Sequence, residues 1–251
     1  MIVKVFMLLK EPKISIIIAT YQAGEFLQAC LDSIKKQSYK NLELFIVDGS
    51  STDSTLSIIE TNKALITSYI SEPDKGIYDA MNKGVKIATG DFVLFLGADD
   101  TLLVDLAEIA FLLCDRNIVY YGDVLFKQSG QIYDGKFGSF KLAIKNICHQ
   151  AIFYPSSVFK SYTFELSYQL LADHALNIKL FGDKNFSFSY FPHVIARYNQ
   201  TGSSGSNIDS TYISSRMSLI KDNFNSFVYL YAKLRMVISK YLLRKSYYNK
   251  N

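Results

Sequence analysis

The chain has 251 residues, 49% of them hydrophobic, and a formal net charge of +4. That is enough for one large α/β domain, or one domain with an extension, and argues against a long disordered tail. Three scattered cysteines (Cys30, Cys114, Cys148) without CxxC spacing, and three histidines in all, argue against a disulfide framework, a zinc site and a histidine-rich metal centre.

The cysteines read as reduced, buried thiols of a cytoplasmic protein. The first residues, MIVKVFMLLKEPK, are apolar but brief. Lys4 interrupts them and no small-residue cleavage site follows, so they do not read as a signal peptide. No run reaches the ~18 uninterrupted apolar residues of a spanning helix.

ISIIIAT (14–20) is an apolar strand without alternation, as in a sheet covered on both faces. Residues 24–37 carry Phe26, Leu27, Cys30, Leu31 and Ile34 at helical spacing. LELFIV (42–47) is a second strand ending at Asp48. The turn-rich GSSTDST follows, with Asp53 or Ser54 as cap of a helix to about Asn62. A short strand at 66–70, a loop EPDKG and a helix at 77–89 come next, then the strand-like GDFVLFLGADD (90–100). This strand–helix alternation implies a mostly parallel sheet with helices on both faces. Further on the spacing predicts a helix at about 103–113, a hairpin of 117–126 with 131–134, strands at 148–154 and 186–196, and a helix near 173–181. NQTGSSGSN (199–207) has the composition of a mobile loop, and the remainder to about 245 reads as helix.

Three strands end in polar groups: Thr20-Tyr21, Asp48 and Asp99-Asp100. In a parallel sheet such tips share one edge, and ligands of open α/β sheets bind beyond it. At about 4 Å two like charges repel by about 4 kcal/mol at an effective dielectric of 20, so adjacent carboxylates call for water, a basic group or a cation. The plainer reading makes Asp100 the N-cap of a helix beginning near Leu102. No GxGxxG follows the first strand and no GxxxxGK[ST] occurs, which disfavours a dinucleotide fold and a P-loop.

The ordered set IIIATY, LFIVDGSSTDST and SEPDKGIYDAMNKGVKIATGDFVLFLGADD resembles the inverting family-2 glycosyltransferases of the GT-A fold. It is particularly similar to the branch that builds bacterial capsule, O-antigen and exopolysaccharide units. The likeness is strong over 13–100 and weaker through CHQAIFYP and LADHALNIKL. It implies an α/β fold, a Rossmann-like mixed sheet flanked by helices, with a GT-A catalytic domain over 1–205. Within it, 13–100 is the nucleotide-sugar half and 101–205 the acceptor side, followed by a basic helical extension over 206–251. It further implies transfer of a sugar from a nucleotide-diphosphate donor to a surface polysaccharide or lipid-linked (polyprenyl) glycan.

By the same resemblance Asp100, with Asp99, holds Mn²⁺ or Mg²⁺ against the donor diphosphate, and Asp99 also lies near the ribose. Thr20, Tyr21 and Asp48 grip the nucleoside, and Lys75 meets a phosphate or the base. Asp173 is the general base, with a helix cap as its alternative role. His149-Gln150, expected on a strand, touch donor sugar or acceptor, or pack in the core. Many relatives have two consecutive acids where this chain has Asp48-Gly49, so UDP is the first nucleotide to test and GDP and dTDP stay open. Asn82 and Gly84 are expected to shape helix packing.

From Arg216 onward there are eight Lys/Arg against one acid, Asp222, a net +7 that leaves the rest of the chain at −3. This tail reads either as a helix packed on the catalytic domain, with a homodimer contact as a variant, or as an interfacial helix on an anionic membrane, which would make the protein peripheral on the inner membrane face. No nucleic-acid-binding motif accompanies the charge. Two rival functions remain at this level: a catalytically silent nucleotide-sugar scaffold, and a Mg²⁺-dependent phosphohydrolase, against which the Ala19-Thr20-Tyr21 tip argues by lacking an aspartyl nucleophile.

Overall fold

The apolar strands alternate after all, but between two cores instead of core and solvent. The computed structural model describes residues 11–200 and 209–248. In β1 (Ile14–Thr20), Ile14, Ile16 and Ile18 enter one buried cluster and Ile17 the other. The same division holds for Leu44 and Ile46 against Phe45 in β2 (Leu42–Asp48), and for Phe92, Leu94 and Leu96 against Val93 and Phe95 in β4 (Phe92–Gly97). Side chains of a strand point alternately to its two faces, so an unbroken apolar run reports cover on both. One cover comes from α1 (Leu27–Lys35) and α2 (Thr55–Thr61) through Leu27, Cys30, Leu31, Ile34 and Ile59. The other comes from α3 (Ile77–Ile87), α6 (Ala172–Gly182) and the helices that follow.

Among the described residues nine strands form one sheet, ordered β3-β2-β1-β4-β8-β6-β9-β5, with β7 beside β6. β3 (Ser68–Ser71), β2, β1 and β4 are parallel. The second half is mixed: β8 (Ile152–Pro155) runs antiparallel to β4, while β6 (Ile118–Phe126) and β9 (Ser187–Tyr198) pair in parallel. The hairpin of β6 with β7 (Ile132–Tyr133) forms as the sequence predicts. The α/β class and the mixed sheet flanked by helices follow the expectation.

Four local expectations need correction. The helix expected over 103–113 is reduced to α4 (Leu106–Ile109) and a 3-10 turn, because β5 (Thr101–Leu102) is drawn into an antiparallel pair with Arg197 and Ala196 of β9. Asp105 caps α4 by accepting from Ala107 N, so Asp100 is not a helix cap. His149-Gln150 lie on a 3-10 turn (His149–Ala151), not on a strand; ladder pairing begins only at Ile152. Of the three thiols only Cys30 is buried; Cys148 is half-buried and Cys114 exposed.

The extension forms α7 (Ser210–Asn223) and α8 (Ser226–Tyr248). Tyr212, Ile220, Val228 and Ala232 enter the second core, so these helices pack on the sheet-bearing unit. α5 (Ser139–Leu142) lies beside them, its neighbour Ala143 accepting from Arg216. Most of the polar 199–207 loop lies outside the described residues, as does the apolar N-terminal stretch.

Candidate active site

Register brings the strand tips together. Thr20 is opposite Asp48 and Ala19 opposite Gly97, so the ends of β1, β2 and β4 share one edge. Two further elements close on that edge. The antiparallel β5–β9 pair carries Asn199 back to the acidic motif, and the antiparallel β8 starts beside the end of β4, with the His149–Ala151 turn just before it. Between them lies a cavity of about 780 Å³. A smaller depression of about 360 Å³ beside α1 and β5 has Asp105 as its carboxylate, already committed to capping α4.

At one end of the large cavity stand Asp99 and Asp100. Asp100 is buried; its Oδ1 accepts from Asn199 N (2.8 Å) and its Oδ2 from Gln150 Nε2 (2.9 Å) and Gly97 N (3.2 Å). Half-buried Asp99 accepts from Asn199 Nδ2 at 2.8 Å. Burial, then the charge of Asp99, pushes the Asp100 carboxyl up to about 6. Two adjacent carboxylates with too little countercharge suit a hard divalent cation, which binds oxygen ligands and fills its shell with substrate phosphate and water. Among the described residues no group of three or more His, Cys, Asp or Glu side chains is arranged to hold a metal unaided.

Asp173 and His149 also line the cavity. Asp173 sits in the first turn of α6, past the cap residue Leu171, and its carboxylate also satisfies the first-turn amide of His174. Its Oδ2 lies 3.0 Å from His149 Nδ1. Its Oδ1 accepts from His174 N at 2.8 Å and lies 2.9 Å from the Tyr78 hydroxyl, which α3 supplies and whose proton is shared with Leu170 O at 2.7 Å. Burial raises the Asp173 pKa, but the hydrogen bonds from His149 and Tyr78 outweigh it and leave the carboxyl below its ordinary value. The shift favours the ionised form, the one in which a carboxylate can accept a proton. The Tyr78 hydroxyl is held well above its ordinary value by burial and then by Asp173, so it stays protonated and serves as a donor.

At the tip of β1 and in the loop before α3, Thr20, Tyr21 and Asp74 line the cavity. Tyr21 is exposed and Thr20 Oγ1 is buried without a hydrogen-bond partner; His149 Nε2 is in the same condition. Asp48 and Lys75, both expected here, are not among the lining residues. Asp48 is fully buried, accepting from Ser51 N (2.9 Å), Ser51 Oγ (2.5 Å) and Ser71 Oγ (2.7 Å), so it braces the loop after β2 instead of facing the cavity. Lys75 is exposed, and only its backbone N–H is engaged, with Asp79 (3.1 Å). Asp53 joins two loops, accepting from Gly24 N and Thr55 N.

Sequence reasoning missed Gln22, Tyr78 and Asn199. Gln22 and Ser50 adopt left-handed backbone (φ 50° and 62°), and Gln22 N donates to Ser51 Oγ at 2.8 Å. Such strain in non-glycine residues gathers where a surrounding site enforces it. The one sequence signal was a tyrosine, Tyr78, on an otherwise aliphatic helix face. Gly49 has a steric reason as well: a Cβ there would stand 2.7 Å from Asp74 Oδ2. Asp74 thus occupies the space that a second acid after Asp48 would need.

Known proteins give the same picture. The model of "Glycosyl transferase family 2" matches residues 15–170. A "PGL/p-HBAD biosynthesis glycosyltransferase" of Mycobacterium bovis is 40% identical over 200 residues, covering 76% of this chain and 78% of that one. The "Amylovoran biosynthesis glycosyltransferase AmsB" of Erwinia amylovora is 33% identical over 137 residues, 51% of this chain and 45% of its own. Among solved structures, S. aureus TarS 1–349 in complex with UDP-GlcNAc superposes with a TM-score of 0.70 at 19% identity, over 84% of this chain and 66% of that one. The mannosyltransferase PcManGT of Pyrobaculum calidifontis, in complex with GDP-Man and Mn²⁺, gives 0.60 at 20% identity, over 75% and 57%. Against another crystal structure of S. aureus TarS the chain spans 39% of the neighbour's length. At these identities the solved structures establish the GT-A-like fold alone. The family assignment rests on the model, which covers well over half of the chain, and on a relative 40% identical across three quarters of it; the chain belongs to glycosyltransferase family 2.

Proposed function

We propose that this glycosyltransferase moves a hexosyl unit from a nucleotide-diphosphate sugar, UDP-linked first, to a surface polysaccharide or lipid-linked oligosaccharide, with a divalent cation and with inversion. One observation carries the proposal: a single cavity has a paired-carboxylate end, Asp99-Asp100, and a separate carboxylate, Asp173, held below its ordinary pKa by its hydrogen-bond partners. Relatives named for glycan and glycolipid biosynthesis support the acceptor class. Solved neighbours with UDP-GlcNAc and with GDP-Man and Mn²⁺ support the donor class and use of a divalent cation.

Asp99 and Asp100 would hold Mn²⁺ or Mg²⁺, which supplies charge stabilisation to the departing diphosphate. Thr20, Tyr21 and Asp74 form the wall for the nucleoside. Asp173 takes the proton of the acceptor hydroxyl through Oδ2, whose second lone pair no described group uses. The acceptor oxygen then attacks the anomeric carbon opposite the phosphate. The bond to the diphosphate oxygen breaks, its electron pair leaves with the nucleotide, and configuration inverts. Gln150 and Asn199 keep Asp100 oriented, and His149 does the same for Asp173.

Calorimetric titration of UDP and GDP, with and without Mn²⁺, tests this on the wild type and on Asp100→Asn. The expected result is metal-dependent binding of one nucleotide, weakened at least tenfold in the variant, about 1.4 kcal/mol. Equal binding by both proteins, or binding indifferent to metal, would remove the donor site from this place.

A further inference from the structure

Helix α8 has two apolar faces. Val228 and Ala232 are buried in the second core. Phe227, Leu230, Leu234, Val237 and Ile238 are each at least 42% exposed. At 3.6 residues per turn these five fall within an arc of about 100° on the side away from Val228 and Ala232. An arc of that width is what a helix ordinarily buries, yet here it faces outward. Exposed Lys233 and Arg235 flank it on its two sides.

Charge decides what the stripe meets. The sequence of α8 contains Lys233, Arg235, Lys240, Arg244 and Lys245 and no Asp or Glu. A second copy presenting the same stripe would bring its own Lys233 and Arg235 against the first, with no acid on α8 to pair with them. Like charges across an interface oppose association. An anionic lipid surface offers apolar cover and negative charge together. Among the described residues no helix is long and apolar enough to cross a membrane.

We infer that the outward face of α8 is an interfacial membrane-docking surface: Phe227, Leu230, Leu234 and Val237 enter the headgroup–acyl boundary of an anionic bilayer, and Lys233 and Arg235 meet its headgroups. This rests on and deepens the proposed function, bringing the chain to the membrane in which a lipid-linked acceptor resides. It stands on the helix itself, so its failure is separable from failure of the donor site.

The experiment is vesicle co-sedimentation of the full chain, using phosphatidylcholine alone and phosphatidylcholine with about 30% phosphatidylglycerol. Expected is binding to the anionic vesicles only, weakening as salt rises. The double variant Leu230→Ser/Leu234→Ser should lose at least tenfold in vesicle affinity while nucleotide binding and thermal unfolding stay as in the wild type. Both positions are exposed, so the fold tolerates the change. Lys233→Glu/Arg235→Glu should abolish the preference for anionic lipid. Failure of the wild type to bind anionic vesicles would overturn the inference, as would equal binding by the serine variant. A wild-type dimer in sedimentation velocity that the serine variant dissolves would assign the stripe to a second copy instead.

Discussion

Asp173 shows how a buried carboxylate is kept charged. Burial alone would raise its pKa, and hydrogen bonds from His149 and Tyr78 reverse the sign. Asp173→Asn should cut sugar transfer by about 10²–10⁴ while leaving metal-dependent nucleotide binding intact. His149→Ala removes one of the two side-chain donors, so the Asp173 pKa rises. Because transfer needs the ionised form, the acid limb of the kcat/KM profile should then move to higher pH; an unmoved limb would show that His149 does not act through Asp173. Asp99 and Asp100 were legible in the sequence because they stand at the end of an apolar run, and Asp173 only through the family resemblance of LADHAL. Their partners were not. The His149–Asp173 contact spans 24 positions and arises from a 3-10 turn meeting a helix start. Asp48 looked like a ligand for the same reason as Asp99, and only the serines at 51 and 71 turn it inward.

At the scale of elements, α3 links core and site. One face brings Tyr78 to Asp173; another lays Gly84 so close to β1 that a Cβ would sit 2.5 Å from Ile17 Cγ2. Asn82 on the same helix exchanges two hydrogen bonds with the Phe164 backbone, at 2.8 and 3.0 Å. Gly84→Ala should therefore cost about 1–3 kcal/mol by overpacking, despite the better helix propensity of alanine. Urea denaturation measures it, and a neutral or stabilising result would mean that β1 and α3 can separate. The expected packing role of Asn82 and Gly84 agrees with these contacts. Long elements with repeated spacing were legible throughout the first 100 residues. β5, two residues long, has no periodicity to read, and a partner strand nearly 100 positions away sets it. The helix predicted over 103–113 lost its first turns to that pairing, as tertiary contacts override propensity.

At the scale of the whole molecule, the strand-tip edge and the second core titrate in opposite senses. Burial, the first cause, lowers the His174 pKa to about 4 behind the second core, where Tyr212 OH lies 2.7 Å from its Nδ1. Its unfolded value is about 6.5, so the unfolded chain binds the proton first and stability falls as pH drops from about 6.5 to about 4. Asp100 does the reverse. With its folded pKa raised to about 6 from 3.8, the native state holds the proton longer, and stability falls as pH rises through that interval. Each shift corresponds to about 3 kcal/mol at 1.36 kcal/mol per unit, so the two nearly cancel between pH 4 and 6. Asp173 and Glu43, held below their ordinary values, add a loss at still lower pH. Asp100→Asn leaves every group but one unchanged, so the difference between the two proteins isolates the acidic end of the cavity. In chelator, wild type should lose about 3 kcal/mol relative to Asp100→Asn as pH rises from about 4 to about 6. Denaturant unfolding of both proteins across that range measures the difference, and parallel curves would mean that Asp100 is no more costly to ionise in the fold than in the open chain. Saturating Mn²⁺ with nucleotide should flatten the difference, since a cation beside Asp100 offsets both its burial and the charge of Asp99.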